Sequence, residues 1–567
     1  MKILFVVDTQ GWAIDTLAKS VAKYNQHHQI EFTYIPPREA GDQKVQLGFI
    51  SLVNKFKPDL IQYEYFRTAA QLIDALPELK TYKSCLMHHN VRDKALLYGN
   101  WQKDKALKDK SCYEIDTIMC HTNEAKQMME EKGVAKDVKI IRYGIDQKFF
   151  TWTDKEDNDK TVGYGGRVVP WKNMKEVSQA CEELNYDLMF MGRVSDPTYW
   201  KKVPKKKIRY DFMDCKDEDR LDFYRSLTCF VNNSGPGYEE GPMPVLEAMA
   251  CGVPVITTPT GQMGILEGYA RHESNCLVVP CNDYKALRLA INRLMKDPSL
   301  RKSLRLGGFE IVKHMLEEKM AREYEKVWYQ TLYPEQKLVS VIIPATYDRA
   351  EQVKQILQSL ENQTYPNIEA VVVWDEKFPE VVAREEDIKY PIFIEGEIDK
   401  SKYSISIREL ITDREGYNLA MARNLGIIES LGEILVFCDS RLAPEPEAVF
   451  NFVNAVGNAK AINEGGCDKV WFNGKKGSST KEAFVENFSA VKRQHIVGAG
   501  MFCERITQYG GMTQEIRTRW VKQGGKFSFL GMAKAKEIKS SKHTPEVRNQ
   551  IKDSKFLLYK MYDSERY

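Results

Sequence analysis

No stretch of about twenty consecutive apolar residues occurs in the sequence, so no helix built from it is expected to span a bilayer. No Cys-x-x-Cys occurs either. The 12 cysteines are scattered without metal-ligand spacing, which argues against a zinc or disulfide framework and for reduced thiols in a cytoplasmic protein. Neither charge sign dominates. Lys and Arg number 82 against 79 Asp and Glu, a net charge of +3, too little for a global field that would draw nucleic acid. The basic run KKVPKKK (201–207) reads as a solvated loop, with a phosphate or membrane patch as the alternative. The opening MKILFVVDTQGW has too short an apolar run for a signal peptide and no small-residue cleavage site after it, so a first β-strand is expected. There is no internal repeat.

What is present is alternating α/β patterning in a chain of 567 residues, long enough for about three or four lobes. KILFVVD (2–8) is a continuous apolar run, as expected of a strand buried on both faces. Leu17, Val21 and Tyr24 then recur at helical spacing. DLIQYEY (59–65), KSCLMHHN (83–90), DTIMCHT (116–122) and VKIIRYGID (138–146) are further strand candidates. The acidic TDKEDNDK (153–160) reads as a linker, followed by strand candidates TVGYGGR, YDLMFMG, TCFVNNS and GVPVITT. After a second linker at 331–337, LVSVIIPA, IEAVVVWDE and GEILVFCD mark a third α/β unit. The expected domains are 1–155 and 156–332, both Rossmann-like, then 337–543 with a mixed sheet, and a helical tail at 544–567.

The most informative stretch is YEEGPMPVLEAMACGVPVI (238–256). Pro244 suits the first turn of a helix and Gly252 suits its left-handed end. The start of that helix faces the loop EEGPM. Its free N–H groups and partial positive charge suit a diphosphate. Glu247, in the first turns, can accept from a ribose diol, and Glu239, in the loop, can reach a sugar. Upstream, GGRVVPWK supplies Gly165 and Gly166 for close backbone approach. Arg167 and Lys172 supply two cations where a departing nucleoside diphosphate gathers charge. MHHNVRDK places His88, His89 and Asn90 at a strand end, where such folds build sites, with a capping or structural histidine as the alternative. Gly11 and Trp12, in the first strand-to-helix loop, either line an acceptor channel or, for Trp12, simply pack.

GGRVVPWK, EEGPMPVLEAMACGVPVI and RYGIDQKFF (142–150), in that order, resemble the family-4 retaining glycosyltransferases of the GT-B fold, over roughly residues 1–330. The resemblance implies that Arg167 and Lys172 hold the donor diphosphate, with Gly165, Gly166 and Gly241 in the donor-binding loops. It also implies that Glu247 binds ribose, that Glu239 lies near the donor sugar, and that His89 stands close to the reacting sugar. Gly11, Trp12 and His88 fall on the acceptor side.

The third unit, about 338–530, resembles family-2-like glycosyltransferases of the GT-A fold. Its carriers are PATYDR, where Asp348 replaces the usual Asn, the strand ending at Asp375, and GYNLAMARNLGIIESLGEILVFCDS. The resemblance implies nucleobase contact for Asp375 and donor binding for Arg423. It places FCDSR (437–441) where the family carries a metal-binding Asp-x-Asp. Asp439 is kept, but Arg441 stands where the second acid belongs. Three readings follow. Asp439 still holds Mg2+ or Mn2+ with His543, or less favourably His495; Arg441 contacts the diphosphate in place of the metal; or the unit is catalytically dead and binds acceptor or partner. Glu515, after a Gly-Gly turn, is the candidate general base, or else a helix acid beside Arg517 and Arg519. Trp520 is expected to pack rather than stack on a sugar.

The expected activity is therefore bifunctional glycosyl transfer from nucleotide-sugar donors, UDP-sugars foremost, to a glycan, lipid-linked or other hydroxyl acceptor. The GT-B module would retain anomeric configuration and the GT-A module would invert it. The rivals are a single active GT-B transferase with a degenerate GT-A binding module, a transferase acting on hydroxymethylated bases in DNA, and a non-catalytic sugar-binding protein.

Overall fold

The apolar runs become the central strands of three sheets. In the computed structural model the chain divides into two units, Met1–Leu332 and Tyr333–Tyr567. The residues described are 1–89, 114–131, 135, 137–151, 160–213, 219–236, 239–313, 315–375, 398–412, 418–457, 470–473, 487–506, 511–538 and 549. Most of the linker expected at 153–160 and nearly all of the tail expected from 544 lie outside them.

The first unit holds two parallel sheets. One comprises β1 (Lys2–Val7), β2 (Gln29–Tyr34), β3 (Leu60–Tyr63), β4 (Lys83–His88), β5 (Thr117–Cys120) and β6 (Lys139–Ile140), in the order β2-β1-β3-β4-β5-β6. The other comprises β7 (Thr161–Gly165), β8 (Asp187–Gly192), β9 (Ile208–Met213), β10 (Cys229–Asn232), β11 (Val255–Thr257) and β12 (Leu277–Val278), in the order β12-β11-β10-β7-β8-β9. In both, strand order reverses beside the first strand. The crevice outside the strand ends at that reversal is where open α/β sheets bind ligands. The long strand expected over 138–146 shrinks to β6, because the chain then turns to meet a helix. A Cβ on Gly144 would lie 2.5 Å from the backbone of Glu317.

The helix expected after the EEGPM loop forms over Met243–Ala250. Gly252 ends it at φ +69°. The N–H of Gly252 donates to the Met249 carbonyl and that of Val253 to the Ala248 carbonyl, the paired bonds of a Schellman cap. A later helix, Glu317–Leu332, packs against the helix Ala13–Tyr24 of the first sheet. Its buried Trp328 donates to Gln62 of β3 at 2.9 Å.

In the second unit, β13 (Val339–Ala345), β14 (Ile368–Trp374), β15 (Ser406–Ile411), β16 (Ile434–Cys438), β18 (Val470–Asn473), β19 (Phe488–Lys492) and β20 (Lys526–Phe529) form one sheet. Its order is β15-β14-β13-β16-β19-β18-β20, with β19 antiparallel to both neighbours, and β17 (Leu442–Pro444) pairs separately with β21 (Ala535–Glu537). Helix Ala350–Glu361 buries Val353, Ile356, Leu357 and Leu360 as its spacing predicts. The order reverses between β13 and β16, and β16 ends at Cys438, one residue before Asp439.

Candidate active sites

At the reversal point of the second sheet, the loops after β7 and β10 face each other. Gly165 has no side chain to hold them apart: a Cβ there would lie 3.1 Å from Pro244, in the first turn of the helix Met243–Ala250. Gly166 adopts φ +123°, open to glycine alone. A Cβ on Gly192 would lie 2.2 Å from the Gly166 carbonyl oxygen, so both positions need glycine for the β7 and β8 ends to cross. From this loop Lys172 reaches across to Glu239, Nζ to Oε2 2.9 Å, and the Ser234 hydroxyl donates to the same oxygen at 2.7 Å. Arg167 is exposed beside them. The helix start has no side-chain cap; Pro244 carries no N–H, and the N–H groups of Met243 and Val245 donate to the Gly241 and Pro242 carbonyls, both at 2.8 Å. Glu247 is buried; Tyr224 donates to its Oε2 at 2.6 Å and Arg220 to its Oε1. Gly241 abuts Tyr143, since a Cβ there would lie 2.0 Å from the ring.

Tyr143 links this loop to the end of the first sheet. Its ring stacks on His121 at 3.7 Å. His121 donates through Nδ1 to the Ile141 carbonyl at 2.8 Å, and its Nε2 lies 2.9 Å from Nδ1 of His89. The carbonyl can only accept, so Nδ1 of His121 carries the proton and its Nε2 accepts from His89. His89 then turns Nε2 to Glu64, 2.7 Å away. Burial pushes the His89 imidazole down to about 3. Burial also holds the Glu64 carboxyl well above its usual range, with hydrogen bonding to Tyr324 and Gln62 opposing and Asp8 adding to the rise. The directions agree on a neutral carboxylic acid donating to a neutral imidazole. His88 is fully buried, stacked on Phe66 at 4.8 Å, and faces no solvent. Gly11 takes φ +79° and donates to Asp15 Oδ2 at 2.7 Å, which leaves Trp12 exposed at the helix start. Asn90 lies outside the described residues.

At the reversal point of the third sheet, Arg441 closes back on Asp439. Its Nε donates to Oδ1 at 2.8 Å and its Nη2 to Oδ2 at 2.9 Å. Burial alone would raise the Asp439 carboxyl; Arg441, helped by Arg423, outweighs it and holds the carboxyl below the usual range. Asp375 accepts from the Thr412 hydroxyl at 3.0 Å and the Asn418 N–H at 2.9 Å. Arg423 is buried over the Phe502 ring at 5.4 Å. Glu515 is gripped by Arg519, Nε to Oε1 2.7 Å and Nη2 to Oε2 2.9 Å, while Arg519 also donates to the carbonyls of Ala499 and Met501. Trp520 is fully buried against Phe527. His495 sits half-buried on the helix Arg493–Gly498, and His543 lies outside the described residues. Both Asp439 oxygens are taken by Arg441, and among the described residues no group of three or more His, Cys, Asp or Glu side chains includes Asp439.

Sequence reasoning missed Arg220, Tyr224 and Ser234, which hold the two predicted glutamates, and Glu64 and His121, which hold His89. Glu64 and His121 were within reach of the strand-end rule, since each directly follows a strand of the first sheet.

Comparison with known proteins adds two family matches. Residues 146–309 match the model of glycosyl transferases group 1, and residues 340–495 match that of glycosyl transferase family 2. A curated relative, the uncharacterized glycosyltransferase MJ1178 of Methanocaldococcus jannaschii, is 25% identical over 244 residues. The match takes in 41% of this chain and 65% of the relative's length. Among solved structures, sucrose-phosphate synthase from Thermosynechococcus elongatus aligns at 18% identity and a TM-score of 0.49, over 59% of this chain and 100% of its own. HepE of Anabaena, solved with UDP-glucose, aligns at 14% identity and a TM-score of 0.49, over 58% of this chain and 100% of its own.

Proposed function

We propose that this chain, a glycosyl transferase group 1 segment followed by a glycosyl transferase family 2 segment, works as two nucleotide-sugar-dependent transferases on one polypeptide. The observation that carries the reading is the meeting of Lys172 and Glu239, 2.9 Å apart and supplied by loops after two different strands.

In the first module, Lys172 and Arg167 bind the diphosphate, with Gly165, Gly166 and Gly241 giving the backbone room to approach. As the bond from sugar to diphosphate breaks, charge grows on the leaving oxygen, and fixed cations there lower the barrier. Glu247 accepts from the ribose hydroxyls. A carboxylate has about four lone-pair sites, so the bonds from Arg220 and Tyr224 leave capacity for them. Glu239 orients the donor sugar. His89, held neutral between Glu64 and His121, stands on the acceptor side with Trp12 and Gly11. The product keeps the donor's anomeric configuration.

In the second module, Asp375 contacts the nucleobase and Arg423 lies behind the diphosphate site. Arg441 supplies the positive charge that a metal would otherwise bring, with Asp439 as its anchor. Glu515 is the candidate base for an inverting transfer. The competing metal reading, Asp439 with His543 and Mn2+ or Mg2+, requires Arg441 to swing away. The closed pairs Arg441–Asp439 and Arg519–Glu515 favour a second reading, in which this module only binds acceptor. The acceptor class is a hydroxyl-bearing glycan, lipid-linked glycan or modified base.

Nucleotide release from UDP-, GDP- and dTDP-sugars, by wild type, Glu247→Ala and Asp439→Ala, tests the proposal. Two donor activities, one lost only with Glu247→Ala and the other weakened only with Asp439→Ala, are expected. A single activity lost only with Glu247→Ala leaves one transferase with a binding module. Release untouched by either substitution overturns both site assignments.

A further inference from the structure

Away from both crevices, two adjacent histidines and a helix acid converge. His27 and His28 lie in the turn between the helix Ala13–Tyr24 and β2. Glu325 projects from the helix Glu317–Leu332. Nε2 of His27 is 2.6 Å and Nε2 of His28 is 3.1 Å from the same oxygen, Oε1 of Glu325. The three side chains are 9%, 1% and 4% exposed, and their ligand atoms all lie within 4.8 Å of one another.

A single buried carboxylate needs one cation, and the two imidazole rings, with centroids 4.0 Å apart, repel each other if both are charged. One ring at least is therefore neutral and offers a lone pair. Two imidazole nitrogens and one carboxylate oxygen make a donor set that Zn2+ takes, with bonds of about 2.0–2.2 Å. Ligand atoms around such an ion stand roughly 3.3 Å apart, so the His28 contact needs to open by about 0.2 Å and the His27 contact by about 0.7 Å.

We propose that His27, His28 and Glu325 bind a divalent transition cation of the zinc class, with water completing the shell. The ion would clamp the turn before β2 to the helix Glu317–Leu332, beside the contact in which Asn25 donates to the Ala321 carbonyl at 3.0 Å. Its role would be to fix that helix on the first sheet, separate from the transfer chemistry.

The test is Zn2+ titration of the full chain after chelator treatment and gel filtration, with the melting temperature followed in parallel. One Zn2+ per chain and a rise in melting temperature are expected. Co2+ should give visible d–d bands without the ultraviolet thiolate band that cysteine ligation would add. His27→Ala, at the more exposed ligand, and Glu325→Gln should each weaken the affinity by about 100-fold or more. Absence of saturable one-to-one binding by the wild type overturns the site, whether or not the variants fold. So does a thiolate band, or full affinity in both folded variants.

Discussion

The second and third sheets both present a cation against a carboxylate at the point where strand order reverses, yet the two pairs are built differently. Lys172 and Glu239 come from loops after β7 and β10 and meet across the crevice at 2.9 Å. Arg441 and Asp439 sit two residues apart in one turn. A pair that spans a crevice cannot form unless the fold has brought its walls together, so it reports an assembled site. A pair within one turn forms wherever that turn forms, and serves equally as an anchor for a working guanidinium or as a clip. The acids nearby repeat the contrast. Glu247 is gripped by Arg220 and Tyr224, 27 and 23 residues away, whereas Glu515 is held by Arg519 one helical turn on.

Lys172→Ala should break the first half of this comparison most strongly. On the proposed reading it removes a cation that faces the leaving diphosphate, and kcat of the first module should fall by about 100- to 1000-fold. A change confined to KM would instead assign Lys172 to ground-state binding. On the second sheet's counterpart, Arg441→Ala should lower donor turnover of the second module by about 100-fold, while Asp439→Asn, which leaves the guanidinium but loosens its anchor, should cost about 10-fold. An Asp439→Asn loss larger than that of Arg441→Ala would return the carboxylate to a metal-ligand role. Glu515→Gln sharpens the question of the base. As a positioning acid for Arg519 it should lower second-module turnover by less than about 10-fold, and as a general base by more than 100-fold.

The smallest effect concerns the first sheet. Burial pushes His89 down to about 3, whereas the unfolded chain protonates near its ordinary value of about 6.5. Between those values the unfolded state binds the extra proton, so this contribution to stability is present above about 6.5 and falls as pH drops toward 3. Chemical denaturation at pH 7, 6 and 5 should show a shallower decline in His89→Gln than in wild type.

Much of this was legible in the sequence because the central strands are continuous apolar runs. KILFVV, VSVIIPA and ILVFC are buried along almost their whole length. Edge strands were not: QIEFTY of β2 is half-buried to exposed throughout, and β12 has two residues. Lys172, Glu239 and Glu247 were singled out from strand ends and a helix start, and the structure brings Lys172 and Glu239 together at 2.9 Å. Arg220 and Tyr224 were not, since each acquires its meaning from Glu247, more than twenty residues away, which only tertiary packing brings to it. Arg441 was seen in the metal position, but only its two bonds to Asp439 show that it takes both oxygens the metal would need.

The most direct measurement is nucleotide release by the Glu247→Ala chain in EDTA, across the donor panel, with and without Arg441→Ala. Release from the second module's donor should persist in EDTA and collapse when Arg441 is removed. Release abolished by EDTA and restored by Mn2+ would contradict it, and would place a metal, with Arg441 displaced, at Asp439.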